Sequence, residues 1–344
     1  MLKVGICGFG KMGQIRAESL EKTGRAKIVS IFDKYLPDTV EFDVADSFNS
    51  IVENPNIDAV CICLPNAYNY ELTIKALQNG KHVLCEKPPA FTVEEVIEIR
   101  KVEKETGSIL MYGFNHRHHQ AVIKMKALID SGKYGRVLWM RGRYGKSVDE
   151  DYFNDWRSDK DLAGGGILFD QGIHMLDLFH YLGGQFDDVH AYVSSLYWNL
   201  EGVEDNVFAI MKNTQTGLVA SLHSTMTQWR HLFSLEIFLE SGYMTLNGLK
   251  TGSGSYGEEV LTVAQNRSKA PAATWSDEES FHFETDTSWE IEAKLFLESI
   301  DSGIQPKTGN SKDALNVMEL VAKIYENDRD QYSSLHTSLT PVNQ

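Results

Sequence analysis

Basic residues are in short supply in this chain. Against 48 aspartates and glutamates stand 33 lysines and arginines, a formal net charge of −15 at pH 7. Nucleic-acid binding rests on a surplus of cations that neutralise phosphates, so that class of partner is excluded, although an anionic small molecule at a local basic patch is not. No run of 18 apolar residues occurs, which excludes a helical membrane span. Cysteine is scarce as well. Cys7, Cys61, Cys63 and Cys85 all lie in apolar, strand-like stretches of the first half, where small buried thiols fit better than disulfides. Cys61 and Cys63 would share a strand face, yet no further Cys or His stands at ligand spacing, so no metal is expected. Residues 2–7 form a strand-like run and lack the basic leader, apolar stretch and cleavage site of a secretory signal; together with the thiols this reads as a cytoplasmic protein. There is no internal repeat.

What the chain does have is bulk and alternation. At 344 residues and 42% hydrophobic content it exceeds what one small core organises, which implies two domains. Strand-like runs at 2–7, 27–32, 57–63, 82–85 and 109–114 alternate with helix-like runs at 11–22, 69–78 and 92–106. Thr92 and Glu95 form a capping box at the start of the last. The alternation predicts a doubly wound parallel sheet with helices on both faces, in a first domain at 1–120. Past residue 120 a helix at 121–129 gives way to strand candidates at 135–141, 188–197, 207–211, 218–226 and 233–239, with hairpin turns at 213–217 and 240–242. A second domain at 121–344, α+β with a large, mainly antiparallel open sheet, follows. A helix at 288–302 carries a second candidate capping box, Thr287 with Glu290. The stretch 248–286 and the tail from 327 read as loops.

Three short runs carry the chemistry. In the first, Gly8-Phe9-Gly10-Lys11-Met12-Gly13, the glycines follow a strand and open a helix, which suits a tight turn, close backbone approach to a pyrophosphate and close helix–strand packing. The helix N-terminus then faces the negative charge. Asp33, twenty residues past Gly13, ends the second strand, where a carboxylate accepts hydrogen bonds from the adenosine ribose and repels a 2′-phosphate. NAD is therefore expected over NADP, against the pull of the neighbouring Lys34. The second run, Glu86-Lys87-Pro88, leaves the carboxyl end of a strand. In the third, Asp170-Gln171-Gly172-Ile173-His174, the aspartate and histidine are four apart in an apolar helix-like stretch, so both project from one helix face. Gly164-Gly165-Gly166 upstream permits close approach to a ligand. His174 suits proton transfer because imidazole titrates near neutrality. Arg157 would bind a carboxylate or phosphate, or pair with a nearby aspartate. Tyr144, Tyr152, Phe153 and Trp156 would pack on sugar faces or stiffen a loop, and His116, His118 and His119 read as a solvated helix start.

Taken together and in this order, the three runs resemble the glucose-fructose oxidoreductase/inositol dehydrogenase family (Gfo/Idh/MocA) of nicotinamide-dependent sugar and cyclitol dehydrogenases, over most of the chain. The resemblance implies that Leu64, Pro65 and Asn66 form the turn beside the cofactor ribose and nicotinamide, and that Glu86 lies near the nicotinamide ribose. It implies that Lys87 reaches the substrate hydroxyl, often after a cis bond to Pro88, and that Asn115, Arg117, Trp156 and Arg157 line the cleft. Asn69 stands where the family often has a histidine on the cofactor side. The expected activity is NAD-dependent oxidation of a secondary hydroxyl on a sugar, cyclitol or nucleotide-linked sugar, with Lys87, Asp170 and His174 handling the proton. A non-catalytic sugar or nicotinamide sensor, and a glycoside-cleaving enzyme that recycles bound NAD, are the alternatives. The family also implies a homodimer or homotetramer through the second sheet, with strands 188–197 and 218–226 as the buried surface.

Overall fold

Short, unbroken apolar runs dominate the first third of the chain, and such runs suit parallel strands buried on both faces. The computed structural model describes residues 1–36, 40–266 and 274–335, with side chains described to residue 328. In chain order it forms β1 (Leu2–Cys7), α1 (Lys11–Lys22), β2 (Ala26–Phe32), α2 (Phe48–Val52), β3 (Ala59–Ile62), α3 (Asn69–Gln78), β4 (His82–Cys85), α4 (Val93–Thr106) and β5 (Leu110–Tyr112). Next come α5 (Gln120–Asp130), β6 (Val137–Ser147), α6 (Lys160–Ala163), α7 (Ile173–Gly183), β7 (Asp188–Ser194), β8 (Asn206–Lys212) and β9 (Val219–Thr225). The last are β10 (Thr227–Leu239), β11 (Gly242–Asn247), β12 (Glu259–Gln265), β13 (Glu279–Phe283), α8 (Ser288–Ser302) and α9 (Ser311–Leu335).

The chain divides into two compact units, neither of them a continuous stretch. The first unit is Met1–Ile123 with Asp159–Gly164 and Thr285–Met318; the second is Lys124–Ser158, Gly165–Glu284 and Glu319–Gln344. In the first unit the strands run parallel in the order β2-β1-β3-β4-β5. Val4, Ile6, Leu20, Ile28, Cys61, Leu84 and Met111 form its core, and α8 returns late in the chain to add Ala293, Phe296 and Leu297. Both sheet edges are covered. Residues 43–45 bond to Ile31 on one side, and Gly309 and Gln305 receive the amides of Tyr112 and Leu110 on the other. The Thr92–Glu95 capping box forms in full. The second expected box does not: Thr287 makes no side-chain cap bond, and Asp286 instead accepts from the Ser288 amide.

The second unit holds an eight-stranded sheet in the order β13-β12-β11-β10-β6-β9-β8-β7, antiparallel except where β6 pairs parallel with β9. The expected hairpin turns join β8 to β9 and β10 to β11. Helix α7, apolar almost throughout, packs on one sheet face at Gly142, where a Cβ would stand 2.5 Å from Met175 and 2.8 Å from Phe179. Two expectations are corrected. The stretch 248–286 contains β12 and β13, because Leu261 and Val263 alternate inward within its polar surroundings; its residues 267–273 lie outside the described residues. The tail from 327 continues α9 to Leu335, and Asn327 accepts the Ala191 amide at 2.8 Å; residues 336–344 lie outside the described residues.

Candidate active site

In an open α/β sheet, ligands bind beyond the carboxyl ends of the strands where the strand order reverses. Here the reversal falls between β1 and β3. Gly8 follows β1 at φ +93°, and a Cβ on it would lie 2.4 Å from the Cys63 carbonyl oxygen, so the turns after β1 and β3 touch. A Cβ on Gly13 would lie 2.1 Å from the Gly8 oxygen, whereas one on Gly10 meets nothing within 4 Å. Helix α1 starts at Gly10 without a side-chain cap and without an acidic residue in its first turn. Its free amides and positive dipole end therefore fit a pyrophosphate. Phe9 is buried, Met12 half-buried and Lys11 exposed. The Asp33 carboxylate accepts the Phe9 amide at 2.6 Å and the Tyr35 amide at 2.9 Å, so the acid that would meet the ribose is anchored on the glycine-rich turn itself. Lys34 is exposed, its ammonium 5.5 Å from the Tyr35 ring centre. After β3, Leu64 and Pro65 are half-buried, and Asn66 is buried with its amide donating to the Ala163 carbonyl at 2.8 Å.

At the end of β4, Glu86 faces inward and pairs with Arg16 of α1 at 2.6 Å, while Arg16 also pairs with Glu292 of α8. Burial alone would lower the Arg16 pKa; Glu292 and Glu86 more than reverse this, and the net shift is upward. Gly113 makes room for the group, since a Cβ there would come within 2.6 Å of the guanidinium and 2.8 Å of the Glu86 carboxylate. Lys87 alone in the run 83–90 is half-buried among buried neighbours, and its bond to Pro88 is cis, as the resemblance implied. Asn69 donates to the carbonyls on either side of that lysine, at 3.3 Å to Glu86 and 2.7 Å to Pro88. Asn115 is buried and donates to Ser288 at 3.2 Å. Arg117, expected to line the cleft, is 3% exposed and gives its guanidinium to Asp313 at 2.8 Å and Thr308 at 2.9 Å. The three histidines are not a solvated helix start: His116, His118 and His119 are all buried. Burial, then Arg117, Arg16 and His119, push the His118 pKa down to about 4.

In the second unit, Asp170 precedes α7 within a π turn, Leu168–Gly172, so it does not lie on the α-helix that carries His174. Such turns recur at functional sites. Buried Glu204 fastens this one, accepting the Gly166 amide at 2.7 Å, the Leu168 amide at 2.8 Å and the Tyr325 hydroxyl at 2.9 Å. The Asp170 carboxylate lies between two cations: Lys146 on β6 donates at 2.9 Å and Arg157 at 3.3 Å. Arg157 also holds Asp155 at 3.2 Å and stacks on Trp156 at 4.4 Å, so within this unit it takes the aspartate-pairing option. His174 is 6% exposed, with the Tyr144 ring 6.4 Å away. Tyr144 packs edge-on to Tyr256 at 5.3 Å, and Tyr256 donates to Gln171 at 2.6 Å. Tyr152 lies beneath the Lys146 ammonium at 5.4 Å; Phe153 packs on Trp198 instead. Burial raises the pKa values of Tyr144, Tyr152 and Tyr256, so all three remain neutral hydroxyls. Lys146, Glu204 and Tyr256 carry no sign of their role in the sequence, and Gln171 is named there within its run without a partner. Among the described residues no group of three or more His, Cys, Asp or Glu side chains is arranged to hold a metal ion.

A family model described as an oxidoreductase family with an NAD-binding Rossmann fold matches residues 2–114, and the model of the same family's C-terminal domain matches residues 122–245. The chain belongs to the Gfo/Idh/MocA family. Among its relatives is a levoglucosan dehydrogenase of Pseudarthrobacter phenanthrenivorans, 38% identical over 150 residues, which are 43% of this chain and 38% of that protein. A D-glucoside 3-dehydrogenase of Escherichia coli is 30% identical over 53% of this chain and 54% of its own length. The chain thus aligns with about half or less of these Gfo/Idh/MocA relatives. A solved structure of levoglucosan dehydrogenase in complex with NADH superposes with a TM-score of 0.83 at 25% identity, covering 96% of this chain and 97% of the other. Among the described residues no helix is long and apolar enough to cross a membrane.

Proposed function

We propose that this Gfo/Idh/MocA member is an NAD-dependent dehydrogenase that oxidises a secondary hydroxyl of a sugar, a cyclitol or a nucleotide-linked sugar. The observation that carries the reading is the likeness, over 96% of the chain, to a levoglucosan dehydrogenase that binds NADH. A D-glucoside 3-dehydrogenase among the relatives points to the same substrate class. The glycine-rich turn Gly8–Gly13, the Leu64-Pro65-Asn66 turn, Glu86 and Asn115 are the groups assigned to the dinucleotide. Asp33 selects NAD, since a carboxylate at the tip of β2 repels a 2′-phosphate. When bound, the cofactor supplies the hydride acceptor.

The chain's own residues handle the proton and the charge. His174 takes the hydroxyl proton at its imidazole, a base suited to neutral pH. Lys87, as ammonium, holds the same hydroxyl oxygen and stabilises the negative charge that grows there. Asp170, held by Lys146 and Arg157, accepts a hydrogen bond from a neighbouring hydroxyl. Trp156 offers its ring to the sugar face. Four unpaired thiols fit a reducing cytoplasm, and a second copy of the chain covers the outer face of the large sheet.

Nicotinamide absorbance tests this directly, on mixing the protein with NAD⁺ or NADP⁺ and a panel of cyclitols, free aldoses, glycosides and nucleotide-linked sugars. Reduction with one class supports the reading and names the substrate. Silence across the panel despite tight NADH binding transfers the function to a sensor or to an enzyme that recycles its cofactor. Near-normal turnover in both Lys87→Ala and His174→Ala would remove the residue assignment.

A further inference from the structure

Asn69 opens α3, directly after the turn that follows β3, and is fully buried. Its Nδ2 donates to two carbonyl oxygens, those of Glu86 and Pro88, at 3.3 and 2.7 Å. These carbonyls belong to the peptide units on either side of Lys87-Pro88. One amide group therefore grips both ends of the two-residue span from which the Lys87 side chain leaves. Proline already fixes its own φ and restricts the residue before it. What remains free is the rotation of the flanking peptide planes, and the two bonds restrain it. The Oδ1 of the same side chain is buried and has no hydrogen-bond partner among the described residues. A buried, unsatisfied acceptor is costly, so an amide in this place is explained by its two donor bonds and not by its oxygen. The Cys85 thiol, a weak donor, also reaches the Glu86 carbonyl at 3.3 Å.

We infer that Asn69 is a positioning residue for Lys87: its amide clamps the backbone around the lysine and thereby sets where the ammonium stands. The inference rests on the dehydrogenase reading above for its kinetic consequence and on hydrogen bonds alone for its structural one. Misplacement of a catalytic group by about 1 Å can lower turnover about 100-fold.

The test compares the full-length wild type with Asn69→Ser, whose hydroxyl is too short to reach both carbonyls, Asn69→Leu, which removes the donors but keeps the branching, and Asn69→His, whose ring N–H restores one donor. Three quantities are read: kcat and KM with a substrate from the panel, NADH affinity by fluorescence, and hydrogen exchange in peptides spanning 82–92. We expect kcat to fall about 10- to 100-fold in the Ser and Leu variants with NADH affinity held within about twofold, faster exchange in the 82–92 peptides, and substantial recovery of kcat in Asn69→His. Unchanged kcat in both the Ser and Leu variants, or a loss of NADH affinity that parallels the loss of kcat, would overturn the clamp. If the wild type itself turns over no sugar, the dehydrogenase reading fails separately; the exchange measurement then decides the clamp alone, and unaltered exchange in both variants rejects it.

Discussion

Two cations hold one carboxylate at Asp170, and only Arg157 of the pair sits beside a recognisable run. Lys146→Met removes the nearer of these two cations and keeps the Arg157 contact. We expect kcat/KM for the sugar to fall about tenfold with NADH affinity unchanged, and Lys146→Arg to retain most of the activity; steady-state kinetics on the two variants check this. His118 makes a prediction in pH. Its folded pKa of about 4 lies below the ordinary histidine value of about 6.5, so in that window the unfolded chain binds the extra proton. Its contribution to stability is complete above about pH 6.5 and is lost as pH falls towards 4, by at most about 3 kcal/mol. Urea unfolding at pH 7.5 and pH 5 should show a smaller drop for His118→Gln than for the wild type. The contrast between Lys146 and the sequence-derived candidates has a physical basis. Lys87 follows a strand and precedes two prolines, and Asp170 and His174 keep helical spacing in an apolar run, so local pattern exposes them. Lys146 is one lysine in a long strand, and only the pairing of β6 in the sheet and the path of the π turn bring it to a carboxylate. The buried histidines mislead in the opposite direction, because nothing in three imidazoles within four residues announces that a later segment, through Asp313 and Thr308, will cover Arg117 among them.

At the scale of the element, the π turn before α7 depends on a residue far from it in sequence. Glu204 ties Gly166 and Leu168 by their amides and is itself bonded to Tyr325. Glu204→Gln replaces one acceptor oxygen with a donor that faces an amide, and should cost roughly 2–3 kcal/mol; Tyr325→Phe loses a single bond and should cost about 1 kcal/mol. Denaturant midpoints measure both, and equal effects would mean that the two backbone bonds carry little. Elements whose signals are local were legible. Thr92 with Glu95 caps α4 as read, since both donors and both acceptors lie within one turn. Thr287 has the same spacing to Glu290 but a backbone ψ of 6°, which turns its oxygen away from the amides, and Asp286 takes over. Strands β12 and β13 were hidden because Gly, Ser and charged residues surround their short alternating cores. Their stability comes from pairing in series, β12 on β11 and β13 on β12, which neither segment's own sequence announces.

At the scale of the whole molecule, the outer face of the large sheet exposes Tyr192, Phe208 and Ile210 together. The proposed dimer or tetramer would bury these apolar side chains. The expected strand at 188–197 contributes Tyr192, and β8 between the two expected strands contributes the other two side chains. Ile210→Lys places a charge on that face and should convert the proposed oligomer to monomer without lowering the thermal stability of the monomer. Light scattering on both proteins reads the change, and an unaltered mass would remove this face from the assembly. The late return of α8 has a consequence for synthesis. The sheet that receives the dinucleotide is fully translated by residue 123, yet Phe296, Leu297 and the Glu292 partner of Arg16 are not yet made. Between residues 123 and 285 the ribosome needs roughly 10–30 s at ordinary elongation rates. Throughout that interval the nascent chain lacks Ala293, Phe296 and Leu297 of its first core and its Arg16 is short of one carboxylate, so the first unit completes its core only after every strand of the second sheet has been made.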